Sequence, residues 1–403
     1  MDVIERTATA SGSYRPRVLL WHWGREGAGS KFTYELAREL RACDTEVTVS
    51  SVGESDLTRL VSGLDDVRIS TIHTFRGDKF SRRGRLSAAL GLAGLPRITW
   101  QFRRTVRDND VEVAVCSFQS IWDAATLPVL AFGSVRFVLI LHDAFFHPGD
   151  EYPFRHFVLR QQVRQADALI VLSEHVRRQA IAAFDFPADR VWLMPHAAFS
   201  FGDGQVGPVV HPRGSRKLRV LFFGKIVAYK GLGRLLRAHR ILRERGTPVD
   251  LVIAGAGSLV PYQDLLDGSG VELQNRWLSD ADIGELMSGC DVAVLPYDEA
   301  SQSGVAAAAY AAGRPVVVTP IGGLPEQVVR NVTGLLARDM SDEAFADALT
   351  EFIVKPELLD QCGRGVLGYA RDQLNWRRSA LVVREAVEAV RVAPRRRAGQ
   401  GGR

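Results

Sequence analysis

Two successive series of short apolar runs, each run followed by a helix-patterned stretch, limit most strongly what this chain can fold into. Residues 17–21 (RVLLW) lead into a Gly-containing loop, GREGAGS, then an amphipathic stretch, KFTYELARELRAC, and a second apolar alternation, EVTVSS. That order is β–loop–α–β, the opening of a Rossmann-like unit. Further buried-strand candidates fall at 111–116, 136–141, 168–172 and 191–194, with helical patterns between most of them. Residues 201–216 (FGDGQVGPVVHPRGSR) are rich in Gly and Pro, have no period and read as a linker. A second series then starts with LRVLFFG and a helix over 233–243, followed by VDLVIAGAG, a helix over 280–288 and VAVLPY. It continues with a helix over 304–312, the strand PVVVT and terminal helices over 342–390. Apolar strands alternating with helices call for a parallel sheet covered on both faces. The expected fold class is α/β, two Rossmann-like domains facing a cleft, with ligands at the strands' C-terminal ends.

The expected division is a disordered lead-in over 1–14, a first domain over 15–203, a linker over 204–216 and a second domain over 217–373. A terminal helix over 374–393 would cross back to the first domain, and 394–403 (PRRRAGQGGR) would form a disordered basic tail. A length of 403 residues exceeds one ordinary core and fits this count. No apolar run reaches the roughly 18–20 residues that span a bilayer, and the N-terminus has no signal-like apolar segment. Cys43, Cys116, Cys290 and Cys362 are scattered, without metal or disulfide spacing, so reduced thiols in a cytoplasmic protein are expected. The net charge of +5 fits an anionic substrate or membrane surface. No nucleic-acid-binding signature accompanies it.

Residues 222–231 (FFGKIVAYKG) hold the clearest chemistry. A strand delivers Gly224 and Lys225 to its C-terminal end, and Lys230 precedes the next helix. Two ammonium groups beside free helix-start amides can neutralise a diphosphate. Lysine is otherwise scarce here, with Lys31, Lys79, Lys217 and Lys355 the only others. His142, followed by Asp143, stands at the exit of the strand RFVLIL, where a side chain points into the cleft. The loop over 24–32 contains Gly29, whose missing Cβ lets backbone approach a ligand. Asn275, Arg276 and Trp277 precede the 280–288 helix, and Trp277 fits either a nucleobase contact or a half-buried core position.

Residues 297–326 (YDEASQSGVAAAAYAAGRPVVVTPIGGLPE) form a polar turn, a small-residue helix, a Gly-Arg-Pro break, a strand and a Gly-Gly turn. This layout, with the lysine pair, resembles the donor-sugar site of retaining group 1 (family 4) glycosyltransferases of the GT-B fold. The resemblance covers most of 15–390 and is strongest over 218–336. It implies a nucleoside diphosphate sugar as donor, no cofactor and no metal. Lys225 and Lys230 would grip the diphosphate, His142 the transferred sugar, and Gly29, Gly224 and Trp277 would line the donor site. The family places two glutamates eight positions apart. Counting back from Gly313, those positions hold Ala300 and Ala308. The expected replacements are Glu299 at the sugar and Gln302, Ser303 and Gly304 near the phosphates, with Val305 also in the donor site, a subgroup with a degenerate paired-glutamate motif.

The implied reaction moves a hexose to a lipid-linked or polysaccharide acceptor. The alternatives are a non-catalytic GT-B partner subunit and a GT-B sugar-nucleotide epimerase or hydrolase. Residues 80–107 interleave arginines with Leu86, Leu90, Trp100 and Phe102. They fit either a pair of ordinary helices or a peripheral contact with the inner face of a membrane.

Overall fold

The computed structural model describes residues 14–74, 93–146, 153–202, 207, 217–247 and 249–396. Most of the expected lead-in, linker and tail, and residues 80–92 of the arginine-rich stretch, lie outside the described residues.

The first sheet is formed by β1 (Arg17–Trp21), β2 (Glu46–Val52), β3 (Arg68–Ile72), β4 (Val113–Cys116), β5 (Arg136–Leu141), β6 (Ala168–Val171) and β7 (Val191–Leu193). Their spatial order is β3-β2-β1-β4-β5-β6-β7, and each neighbouring pair is parallel. The second sheet contains β8 (Leu218–Phe223), β9 (Val249–Ala254), β10 (Glu272–Gln274), β11 (Val292–Leu295), β12 (Val316–Val318) and β13 (Gly334–Leu336). It runs β10-β9-β8-β11-β12-β13, again parallel throughout. In each sheet the winding direction reverses once, between β1 and β4 and between β8 and β11. Such a reversal leaves a crevice at the strand ends that adjoining loops cannot fill.

Most of the central strand runs lack polar alternation because both faces are covered. Val18 and Leu20 enter one apolar cluster, while Leu19 and Trp21 enter another on the opposite face. In β8, Val220 and Phe222 separate from Leu221 and Phe223 in the same way.

The terminal helices resolve into Asp342–Val354, Pro356–Gln373 and Trp376–Val392. The last crosses from the second domain to the first, burying Trp376, Ala380, Val383, Ala386, Val387 and Val390 in the cluster that also holds Phe32 and Leu36. The two crossing segments are tied together: Ala198 N donates to Leu374 O at 2.7 Å, and Trp376 Nε1 donates to Ala198 O at 2.9 Å.

Two expectations of disorder need correction at their edges. Tyr14 donates to Glu112 and lies under the Arg391 guanidinium. Residues 394–396 are docked on the first domain. Arg395 donates to the carbonyls of Leu130 and Gly133 at one helix end, and Arg396 donates to Val163 O at 3.1 Å and Ala166 O at 3.4 Å at another. Helix C-termini carry unsatisfied carbonyls and partial negative charge, so arginines in a Gly-rich tail find partners there.

Candidate active site

On the second domain, the loop after β8 turns back at Gly224, whose φ of +116° favours glycine. A Cβ on Gly224 would stand 2.8 Å from Lys230 Nζ and 4.0 Å from Val305 Cγ2, so these three residues converge. Lys230 is half-buried, and its ammonium lies 5.4 Å from the centre of the Tyr297 ring. Lys225 is exposed. Among the described residues neither lysine has an ion-pair partner. Gly231, with φ +68°, ends the short 3₁₀ turn Ala228–Lys230 and starts the helix Leu232–Glu244. A Cβ there would fall 1.9 Å from Pro296 O, so only glycine lets this turn lie against the end of β11.

The helix Gly304–Ala311 begins beside that turn. Its N-cap, Ser303, accepts from Val305 N at 3.2 Å, and Tyr297 OH lies 3.3 Å from the same hydroxyl. Ser303 is thereby held as a cap, and its backbone is fixed by Gln327 on both sides, N to Oε1 at 2.7 Å and O to Nε2 at 3.1 Å. Gln302 is half-buried with its Oε1 atom unpartnered among the described residues. Glu299 is exposed, and Ala300 and Ala308 are 6% and 2% exposed. Both alanines belong to the apolar cluster under the helix.

Trp277 is 63% exposed on the loop after β10, an edge strand separated from β8 by β9, so it is not a core aromatic. Its neighbours brace the loop: Asn275 exchanges two 3.1 Å hydrogen bonds with Gly257, and Arg276 pairs with Asp282 at 2.7 Å. A cavity of about 260 Å³ lies between this edge and the helix Asp280–Gly289. It reaches Arg219 at the start of β8, the strand end away from Gly224, and its charges pair internally as Arg219–Glu272 and Arg276–Asp282. Gly224, Lys230 and Val305 converge at the opposite end of the strands.

On the first domain, His142 follows β5 and is buried. Its Nε2–H donates to Ser117 O at 2.9 Å, which leaves Nδ1 with the lone pair. Burial lowers its pKa, so the ring is neutral near pH 7. Two further histidines stand at strand exits, and sequence reasoning passed over both. His22 follows β1; its Nδ1–H donates to Phe118 O at 3.0 Å, and burial pushes its pKa down to about 4. His196 lies three residues beyond β7, with Nδ1–H on Ala197 O at 2.9 Å and a pKa also lowered by burial to about 4. The strand-exit position that singled out His142 also fits these two.

The helix Ala28–Ala42 starts earlier than its amphipathic pattern suggests, so Gly29 lies in its first turn. A Cβ on Gly29 would meet His22 Nε2 at 2.6 Å, and one on Gly24 would meet it at 2.4 Å. The glycines of this loop therefore make room for a histidine ring of the same chain. The Phe32 ring touches both His142 and His196, at 5.0 and 5.8 Å between centres. His196 Nε2 in turn lies 3.5 Å from where a Gly304 Cβ would be. A continuous contact, His142–Phe32–His196–Gly304, thus joins the two domains across the cleft. The structure brings together Gly224, Lys230, Ser303, Gly304 and Val305, with His142 reached through that contact; Trp277 stands apart on its edge loop.

The glycosyl transferases group 1 family matches residues 217–354, and the glycosyl transferase 4-like domain matches residues 27–197. The chain belongs to the group 1 glycosyltransferases. Within that family it is 30% identical over 252 residues to a D-inositol 3-phosphate glycosyltransferase of Saccharomonospora viridis, covering 57% of this chain and 58% of that one. It spans little more than half the length of the curated relatives it matches. Among solved structures, sucrose-phosphate synthase of Thermosynechococcus elongatus superposes with a TM-score of 0.71 at 17% identity, over 93% of this chain and 99% of that one. Anabaena HepE in complex with UDP and glucose gives 0.66 at 14% identity, over 93% and 99%. At these identities the likeness is one of fold, and the fold of this group 1 chain is GT-B.

Proposed function

We propose that this protein transfers a sugar from a nucleoside diphosphate sugar to a glycan or lipid-linked acceptor. The observation that carries the reading is the convergence of Gly224, Lys230 and Val305 at the second sheet's crevice, with an ammonium that no described carboxylate neutralises. As the glycosidic bond to the donor breaks, negative charge grows on the diphosphate. Lys230 and Lys225 stabilise that charge electrostatically, the task a metal ion performs elsewhere. The start of the Gly304–Ala311 helix adds its positive end. His142 offers a neutral Nδ1 lone pair and Gln302 a carbonyl with no partner among the described residues, both suited to accept from sugar hydroxyls. A relative of the same fold crystallised with UDP and glucose supports a nucleotide-sugar donor.

The test is thermal shift with UDP, GDP and ADP, followed by turnover of the matching nucleotide sugars. No stabilisation by any nucleotide would remove the reading. Sugar released without an acceptor would identify a hydrolase, an epimerised donor an epimerase, and binding without turnover a partner subunit.

No described helix is long and apolar enough to cross a membrane. The reading includes peripheral docking at the cytoplasmic face through the helix Leu95–Asp108. One exposed face of that helix carries Arg97, Trp100, Arg104 and Arg107, with Asp108 as their acidic neighbour. Sedimentation with phosphatidylglycerol vesicles but not phosphatidylcholine vesicles is expected, and equal binding to both would refute it.

A further inference from the structure

The domains also meet at a point that the lysines and histidines of the cleft do not explain. Ser173 follows β6 and caps the 11-residue helix Glu174–Phe184, accepting from Val176 N at 3.2 Å. Its hydroxyl donates to Ser301 O of the second domain at 2.8 Å. Glu326 reaches across from the second domain to the same helix end. Its Oε2 accepts from Glu174 N at 2.6 Å, and its Oε1 accepts from His175 N at 2.8 Å. These are the first two amides of the helix, unsatisfied donors at its positive end. A carboxylate of one domain thus caps a helix of the other. Gly323 permits the approach, since a Cβ there would stand 2.1 Å from Ser301 O and 3.0 Å from Ser173 Oγ.

The same contact grips the segment that carries Gln302. Ala300 O accepts from Gly323 N at 3.0 Å, Ser301 O from Ser173, and Ser303 is held at N and O by Gln327. Three of four consecutive residues are fixed by neighbours, and the fourth, Gln302, keeps a side-chain oxygen without a partner among the described residues.

We propose that Glu326 is the clasp of the interdomain cleft, a positioning residue that sets Gln302 by drawing the first domain onto the 300–303 segment. The part concerning Gln302 rests on the donor-site reading above; the clasp itself does not. On opening, the carboxylate and both amides return to water, so the net gain on closing is modest. A modest gain suits a closure that must also release product.

The experiment is small-angle scattering of the full chain as wild type, Glu326→Ala, Glu326→Gln and Glu326→Lys, without nucleotide and with saturating UDP, GDP or ADP. Glu326→Ala should raise the radius of gyration of the nucleotide-free protein. Glu326→Lys should raise it further, because an ammonium is repelled by the helix start. Glu326→Gln, which keeps one acceptor, should fall between wild type and Glu326→Ala. Unfolding midpoints should stay at the wild-type value, and the donor KM should rise roughly tenfold in Glu326→Ala while kcat changes less. Superimposable scattering curves for all four nucleotide-free proteins would overturn the clasp. So would a lowered unfolding midpoint at constant radius, which would make Glu326 a structural cap only. Expanded variants in a protein that binds no nucleotide would uphold the clasp and remove the donor reading, so the two ideas fail separately.

Discussion

Replacing Lys230 by Met keeps the length of the stem and removes the charge. In the nucleotide-free protein the ammonium has one described attractive contact, the Tyr297 ring at 5.4 Å. A cation–π contact at that range is worth about 0.5–1 kcal/mol. Unfolding of the variant should therefore shift by no more than about 4 °C, because about 1 kcal/mol moves a domain of this size by roughly 2–4 °C. Ligand binding should respond far more. Hydrogen bonds to charged groups contribute about 1.5–3 kcal/mol each, so the Kd of whichever of UDP, GDP or ADP binds the wild type should rise roughly 10- to 150-fold. Because the diphosphate gains charge as it leaves, kcat/KM should fall further, by about 10²–10³. Calorimetric titration at low and high salt measures the first effect, and turnover under limiting donor measures the second. A Kd within twofold of wild type would refute the assignment of Lys230 to the diphosphate. A loss of more than about 10 °C in unfolding temperature would instead make the lysine structural.

Stability should depend on pH through the buried imidazoles. His22 and His196 have pKa values of about 4 in the folded protein against 6.5 when exposed, so the unfolded chain binds more protons between those values. Stability should be complete above pH 6.5 and fall as pH drops toward 4, by at most about 3 kcal/mol per ring; urea midpoints from pH 7.5 to 4.5 test this, and His196→Phe should flatten the slope. Gly231→Ala forces a Cβ to within 1.9 Å of Pro296 O at a φ of +68°. It should cost about 2 kcal/mol or more in chemical denaturation and weaken nucleotide binding by displacing Lys230. Arg314 is a buried guanidinium donating to Met287 O, Ser288 O and Gly207 O at 2.6, 3.1 and 3.1 Å. Arg314→Met should lower stability by roughly 3 kcal/mol, and an unchanged urea midpoint would contradict that role.

Most strands covered on both faces were legible because they are runs of apolar residues in a row, and β2 because its valines alternate. Of the edge strands only β7 was legible: β3 reads RISTI with mostly exposed residues, β10 is Glu-Leu-Gln, and β13 opens on a glycine. Lys230 and Gly224 could be placed from sequence, since a strand exit followed at once by a helix leaves few arrangements. The purpose of Gly29 could not. Its need for a bare Cα was visible, but the ring that occupies the space, His22, comes from the preceding strand exit. Glu326 was beyond local reasoning for a different cause. Its partners are backbone amides about 150 residues away in another domain (a separation of 152 for Glu174), set only when the two sheets face each other.

The helix Trp376–Val392 has a consequence for the order in which the protein can be made. The first domain leaves the ribosome before the second, yet part of one side of its sheet is covered by residues synthesised after the whole second sheet, which ends at Leu336. Val18, Leu36 and Val138 share a cluster with Ala380 and Val387; the helix Ala28–Ala42 covers the β1–β2 part of that side, and the part beside β5, β6 and β7 stays open until the late helix emerges. At about 5–20 residues per second, the roughly 200 residues between β7 and the end of this helix take about 10–40 s. For that interval the nascent first domain presents an apolar face that is only partly covered, which makes it a natural client for a holding chaperone. The last described helix closes the domain that β1 began.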